Sequence, residues 1–109
     1  MHLVVVRESL AERYPWLCAT LYKAFREAKD LAIADLEKIG ALALSLPWVG
    51  AELEATRALL GDDIWPYGVA ENTSEIEALI RYSHSQGLTA RPLAMDELFA
   101  PTTFEYAKI

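Results

Sequence analysis

Apolar residues along this chain follow two different rhythms. Near the N terminus, Leu3-Val4-Val5-Val6 form an unbroken run closed by the charged pair Arg7-Glu8. A run apolar on both faces and rich in β-branched residues predicts a short buried strand over 3–6. From Pro15 onward the rhythm is helical. Leu17, Leu21, Ala24, Ala28, Leu31 and Ile39 recur at helical spacing, and Phe25, Ala32 and Leu36 widen the stripe. This predicts a long helix over 15–39, with Pro15 in its first turn and Gly40 as its left-handed stop. Lys23, Arg26, Glu27, Lys29, Asp30 and Glu37 are expected on its solvated face. Ahead of it, Ser9-Leu10-Ala11-Glu12 has the form of a capping box for a short helical turn.

Further on, Leu46-Pro47-Trp48 predicts a bend, followed by a helix over 50–60 that Gly61 stops. The stretch 61–72 follows neither rhythm and reads as an aromatic loop. Asn72, with Glu75 three residues later, marks the start of a helix over 73–86. Ile76, Leu79, Ile80 and Ser83 are its expected inner face and Gly87 its stop. Short helical turns are expected within 95–107.

A buried strand must hydrogen-bond to a neighbour. Only Ala41-Leu42-Ala43-Leu44 is a second candidate, and those residues favour helix. The predicted fold class is therefore mainly α with one short N-terminal β-strand. It reads as one flank of an α/β protein, present as a single domain or a fragment. The strand's partners would lie in another chain or in sequence beyond this one. A homo-oligomer associating through strand 3–6, paired or swapped, is one expected outcome.

Composition narrows the classes. With 109 residues, 53% of them hydrophobic and 24% charged, the chain is globular and has room for one modest core. A net charge of −6 with ten scattered Lys and Arg excludes the basic surface that nucleic acid requires. No apolar run reaches about 18 residues, so no membrane span is expected. The single cysteine, Cys18, excludes an internal disulfide and a multi-cysteine metal site; in its apolar helical setting it reads as a buried, inert thiol. The N-terminal residues lack the basic and long apolar regions of a secretory signal, which gives a cytoplasmic expectation.

Few positions carry candidate chemistry. His2 stands just before the predicted strand, and strand ends face the ligand crevice in α/β proteins. A histidine there can donate or accept a proton or bind a carboxylate, or it can be a terminal residue without a role. In Gly61-Asp62-Asp63-Ile64-Trp65-Pro66-Tyr67-Gly68, Trp65 and Tyr67 alternate along an extended segment, so one can stack on an aromatic ligand while the other packs inward. Asp62-Asp63 alone supplies too few ligands for a metal. His84 makes no ligand spacing with Glu75 or Glu77 and reads as a partly exposed helical residue. No metal or cofactor is expected: the chain has no Gly-rich phosphate loop, nucleophile elbow or Cys/His metal spacing.

Several blocks together resemble the C-terminal part of the 4,5-dihydroxyphthalate decarboxylase family. They are Met1-His2-Leu3-Val4-Val5-Val6-Arg7, Tyr14-Pro15-Trp16, Leu21-Tyr22-Lys23-Ala24-Phe25, Leu46-Pro47-Trp48, the loop Gly61 to Val69, and Glu97-Leu98-Phe99-Ala100-Pro101. The resemblance implies the C-terminal portion of a longer, two-lobed α/β fold of the type II periplasmic-binding-protein kind, with the strand's partners in the preceding part. It implies cofactor-independent decarboxylation of a dihydroxylated aromatic diacid to protocatechuate, a small aromatic acid as partner, and an isolated chain holding only part of the site. In that setting His2 is the candidate acid or carboxylate binder, and Trp65 or Tyr67 would wall the cleft. Two other readings stand beside it. One is a solute-binding protein for an aromatic acid, which would bind without turnover. The other is a stand-alone helical homodimeric interaction module.

Overall fold

The computed structural model describes residues 2–38 and 44–104. These form α1 (Glu8–Arg13), α2 (Leu17–Leu36), α3 (Val49–Leu60), α4 (Thr73–Ser85), α5 (Met95–Leu98) and a 3₁₀ turn at Pro101–Thr103. They belong to two compact units. The first comprises Met1–Tyr22 and Tyr67–Ile109, the second Lys23–Pro66.

The expected strand is corrected by the structure. No described residue is in a strand, and Leu3, Val4 and Val5 are 56%, 62% and 89% exposed. A β-branched run favours extended backbone, but it becomes a strand only when a neighbour completes the hydrogen-bond ladder. No such neighbour exists among the described residues. The described fold is helical, so the expected strand at 3–6 is not formed, and the described residues by themselves show no sheet; a segment of a larger fold remains compatible with this finding. Of the other expectations, Ile39, Gly40 and most of the run Ala41–Leu44 lie outside the described residues, as does the tail from 105.

The first unit closes around Ala19 of α2, Val69 and Ile76 of α4, which are buried. Along α4, Thr73, Ile76, Ile80 and Ser83 turn inward at helical spacing, whereas Leu79, expected on that face, is exposed. Phe99 and Phe104 meet edge to face with ring centroids 6.4 Å apart. The start of α4 differs from the expected cap. Asn72 spends its side-chain amide on the Gly68 carbonyl (2.8 Å), and Glu75 accepts from the Ser74 hydroxyl (2.7 Å) instead of reaching back. Likewise α1 starts at Glu8, with Arg7 as its N-cap and no side-chain cap. The end of α4 is a complete Schellman closure. Gly87 donates to the His84 carbonyl (3.0 Å) and Leu88 to the Ser83 carbonyl (2.8 Å), with Gly87 at φ +74.

In the second unit, Ile33 and Leu36 of α2, Val49 and Leu53 of α3, and Ile64 are half-buried. Arg57 on α3 forms an ion pair with Glu37, one residue past α2. Gly61 ends α3 at φ +87, its N–H donating to the Arg57 carbonyl (2.8 Å). Trp48, the N-cap of α3, sits at φ +68, a left-handed conformation that costs a side-chain-bearing residue about 1–2 kcal/mol. Leu31, Leu46, Trp48, Leu59 and Leu60 are all exposed.

Candidate functional site

Each unit carries one structured feature of functional interest. In the second unit it is the loop after Gly61. Lys29, from α2, donates its ammonium to Asp63 Oδ1 (2.8 Å) and to the Trp65 carbonyl (3.2 Å). The Trp65 N–H donates to the same Asp63 oxygen (3.3 Å), and Asp30 lies 3.8 Å from the Lys29 ammonium. One lysine thus ties two points of the loop to the helix. The Asp63 carboxyl is held below its ordinary range. The Lys29 hydrogen bond is the largest cause and desolvation opposes it, while Lys29 charge, the Trp65 N–H and Arg26 charge add smaller contributions. Lys29 was expected on a solvated face, yet its side chain is only 10% exposed. Its spacing matched the polar face of α2, and only the return of the loop covers it.

Sequence candidates are distributed as follows. Trp65 belongs to the second unit and is 58% exposed. Tyr67 belongs to the first unit, is half-buried, and its carbonyl accepts the Tyr22 hydroxyl (3.2 Å). His2, in the first unit, is exposed on the extended N-terminal segment. Among the described residues no hydrogen bond joins His2 to Tyr67. Among the described residues no group of three or more His, Cys, Asp or Glu is placed to hold an ion. Cys18 is half-buried and unpaired to any other cysteine. No described helix is long and apolar enough to cross a membrane.

The first unit also holds a groove of about 440 Å³. One wall is a single stripe of α4, namely Glu77, Ile80, Arg81, His84 and Ser85; the other is Pro92, Leu93 and Met95. His84 Nδ1 lies 3.3 Å from the Thr89 carbonyl. A carbonyl only accepts, so this nitrogen carries the proton and Nε2 is left for another partner. Beside the groove, Arg91 grips Glu97 with both terminal nitrogens, and Glu97 also accepts the Ala94 N–H (2.7 Å). The Arg91 hydrogen bond, and then the Ala94 N–H, draw the Glu97 carboxyl down to about 2. This fork fixes the backbone that carries Leu93 and Met95. Sequence reading missed the groove. The recurrence of 77, 80, 81, 84 and 85 on one helical face was the available signal, but nothing local brings Pro92–Met95 opposite it.

No family model matches the chain. Over all 109 residues it is 39% identical to a 4,5-dihydroxyphthalate decarboxylase of Comamonas testosteroni, and it spans 33% of that relative's length. The resemblance carried by the sequence blocks therefore extends along the whole chain, consistent with a C-terminal segment of that family.

Proposed function

From a chain similar along its whole length to a third of a 4,5-dihydroxyphthalate decarboxylase, we infer a segment of an aromatic acid decarboxylase that is incomplete by itself. The single observation carrying this reading is the 39% identity over all 109 residues. The exposed apolar residues support the incompleteness. Leu31, Leu46, Trp48, Leu59 and Leu60 in one unit and Leu3, Val4 and Val5 in the other present exposed apolar surface that further parts of a longer protein would cover.

The proposed substrate is 4,5-dihydroxyphthalate and the product protocatechuate. A ring hydroxyl para to the departing carboxylate supplies electron density to the carbon that bears it. That carbon takes a proton, the bond to the carboxylate breaks, its electron pair returns to the ring, and carbon dioxide leaves. No external electron sink is needed, so the reading is cofactor-independent. The protein must donate one proton and hold the second carboxylate. His2 is assigned to one of these tasks, and Trp65 or Tyr67 to the wall of the cleft.

The test joins this chain in frame to the remaining two-thirds of the Comamonas testosteroni relative and follows 4,5-dihydroxyphthalate by liquid chromatography. The joined protein is expected to release protocatechuate, the 109-residue chain alone to release none. Replacing His2 by Asn in the joined protein is expected to lower kcat by about 10²–10⁴-fold. Binding without turnover in the joined protein would overturn the reading in favour of a solute-binding protein. Full activity in the His2 variant would remove His2 from the site.

A further inference from the structure

We propose that Lys29 is a positioning residue for Trp65: by tying the Asp63–Trp65 turn to α2, it holds the indole outward as a fixed wall for the substrate ring. The proposal rests on the decarboxylase reading and deepens it, by assigning the cleft wall to Trp65 rather than Tyr67.

The argument starts from the Trp65 backbone. Its N–H donates to Asp63 Oδ1 (3.3 Å), so an aspartate side chain closes a turn on the residue two positions on. Its carbonyl accepts the Lys29 ammonium (3.2 Å), which also donates to the same Asp63 oxygen (2.8 Å). Both main-chain polar groups of Trp65 are thus engaged by one cluster. Pro66 follows, and a proline restricts the residue before it to extended backbone. These restraints act on the same backbone and together fix where the Trp65 side chain leaves it.

The side chain held in this way faces water. Trp65 is 58% exposed, and among the described residues no aromatic ring packs on it. Lys29 is the reverse case, with a side chain only 10% exposed. Ordering a lysine and stripping part of its hydration costs free energy, and leaving an indole in water forgoes a large apolar burial. Both costs fall at one short loop. The result is an aromatic face whose conformational entropy is already lost before a ligand arrives, which is what a stacking wall needs. Tyr67 offers no such face: it is half-buried, and what it presents to Tyr22 is its main-chain carbonyl.

The test has a structural and a kinetic readout. In the 109-residue chain, nitrogen relaxation NMR compares the Trp65 indole Nε1–H with the amides of α3. The indole is expected to be as ordered as the helix in the parent and loosened in Lys29→Met. Lys29→Arg, whose guanidinium can donate to both oxygens, should restore order at least in part. In the protein joined to the remaining two-thirds of the relative, Trp65→Ala is expected to raise KM for 4,5-dihydroxyphthalate about tenfold with kcat unchanged. Lys29→Met alone should raise it about two- to fivefold, by lowering the population of the held loop. The decisive variant carries both changes: if Lys29 acts through Trp65, adding Lys29→Met to Trp65→Ala moves KM no further. Effects that multiply, a parental KM in Trp65→Ala, or an indole equally ordered in parent and Lys29→Met would each overturn the proposal. If the joined parent binds 4,5-dihydroxyphthalate without turnover, the decarboxylase reading falls alone and the same cycle is read as Kd. If it does not bind at all, both readings fall.

Discussion

Replacing Lys29 by Met keeps the stem of the side chain and removes its charge. Two hydrogen bonds are lost, to Asp63 Oδ1 at 2.8 Å and to the Trp65 carbonyl at 3.2 Å. A hydrogen bond to a charged group contributes about 1.5–3 kcal/mol, which sets the ceiling. The Asp63 side chain is 58% exposed, so water screens the pair towards the 0.2–1 kcal/mol typical of exposed pairs, roughly. The lysine end is only 10% exposed, which places the expected cost at the top of that range, about 1 kcal/mol. That is about a fivefold loss in the population of the anchored loop. The sign with pH follows from Asp63, whose folded pKa lies below 3.8. A depressed carboxyl contributes its stability above the unfolded value and loses it as pH falls through the lower folded value. The difference between parent and Lys29→Met is therefore expected in full from pH 5 to 7 and to shrink below about pH 4. Carboxyl-carbon NMR of Asp63 reads this directly, as a midpoint below the ordinary aspartate value in the parent and near it in the variant. Identical midpoints in the two proteins would refute the reasoning, because Lys29 would then not be the group holding Asp63.

Two further predictions concern the backbone. Gly61 sits at φ +87 with no atom within 4 Å of an added Cβ, so Gly61→Ala tests conformation without crowding. It is expected to cost about 1–2 kcal/mol in urea unfolding, and an unchanged midpoint would remove the strain argument. At Glu97, a carboxyl drawn to about 2 stays ionised well below the ordinary glutamate range. Its stabilisation is complete above the unfolded value and lost only as pH falls through about 2. The Ala94 amide, which donates to Glu97, should remain protected from hydrogen exchange down to about pH 3 and lose that protection in Glu97→Ala. Loss of protection in the parent near the ordinary glutamate value would contradict the Arg91 fork.

What the sequence determines here is local. The order Ile76, Ile80, Ser83 with Gly87 behind it dictates a helix with one inner face and a left-handed stop, because helical period and glycine's freedom at positive φ act within a few residues. Gly61 ends α3 for the same reason. The resemblance to a decarboxylase family was also legible, because it is carried by short blocks that need no three-dimensional context. Everything that depended on a distant partner was decided elsewhere. Leu3–Val6 has the composition of a strand, but strand formation needs a second chain segment, and none is placed beside it among the described residues. Lys29 has the position of a solvated residue, and only the return of the Asp63–Trp65 loop nearly buries its ammonium. His84 reads as a partly exposed helical residue and is exposed in the structure; that its stripe of α4 also walls a groove is decided by Pro92–Met95 lying opposite it. A periodic pattern encodes which face of a helix turns inward; what that face or its neighbour meets is set by contacts between residues far apart in the chain, which only the tertiary structure supplies.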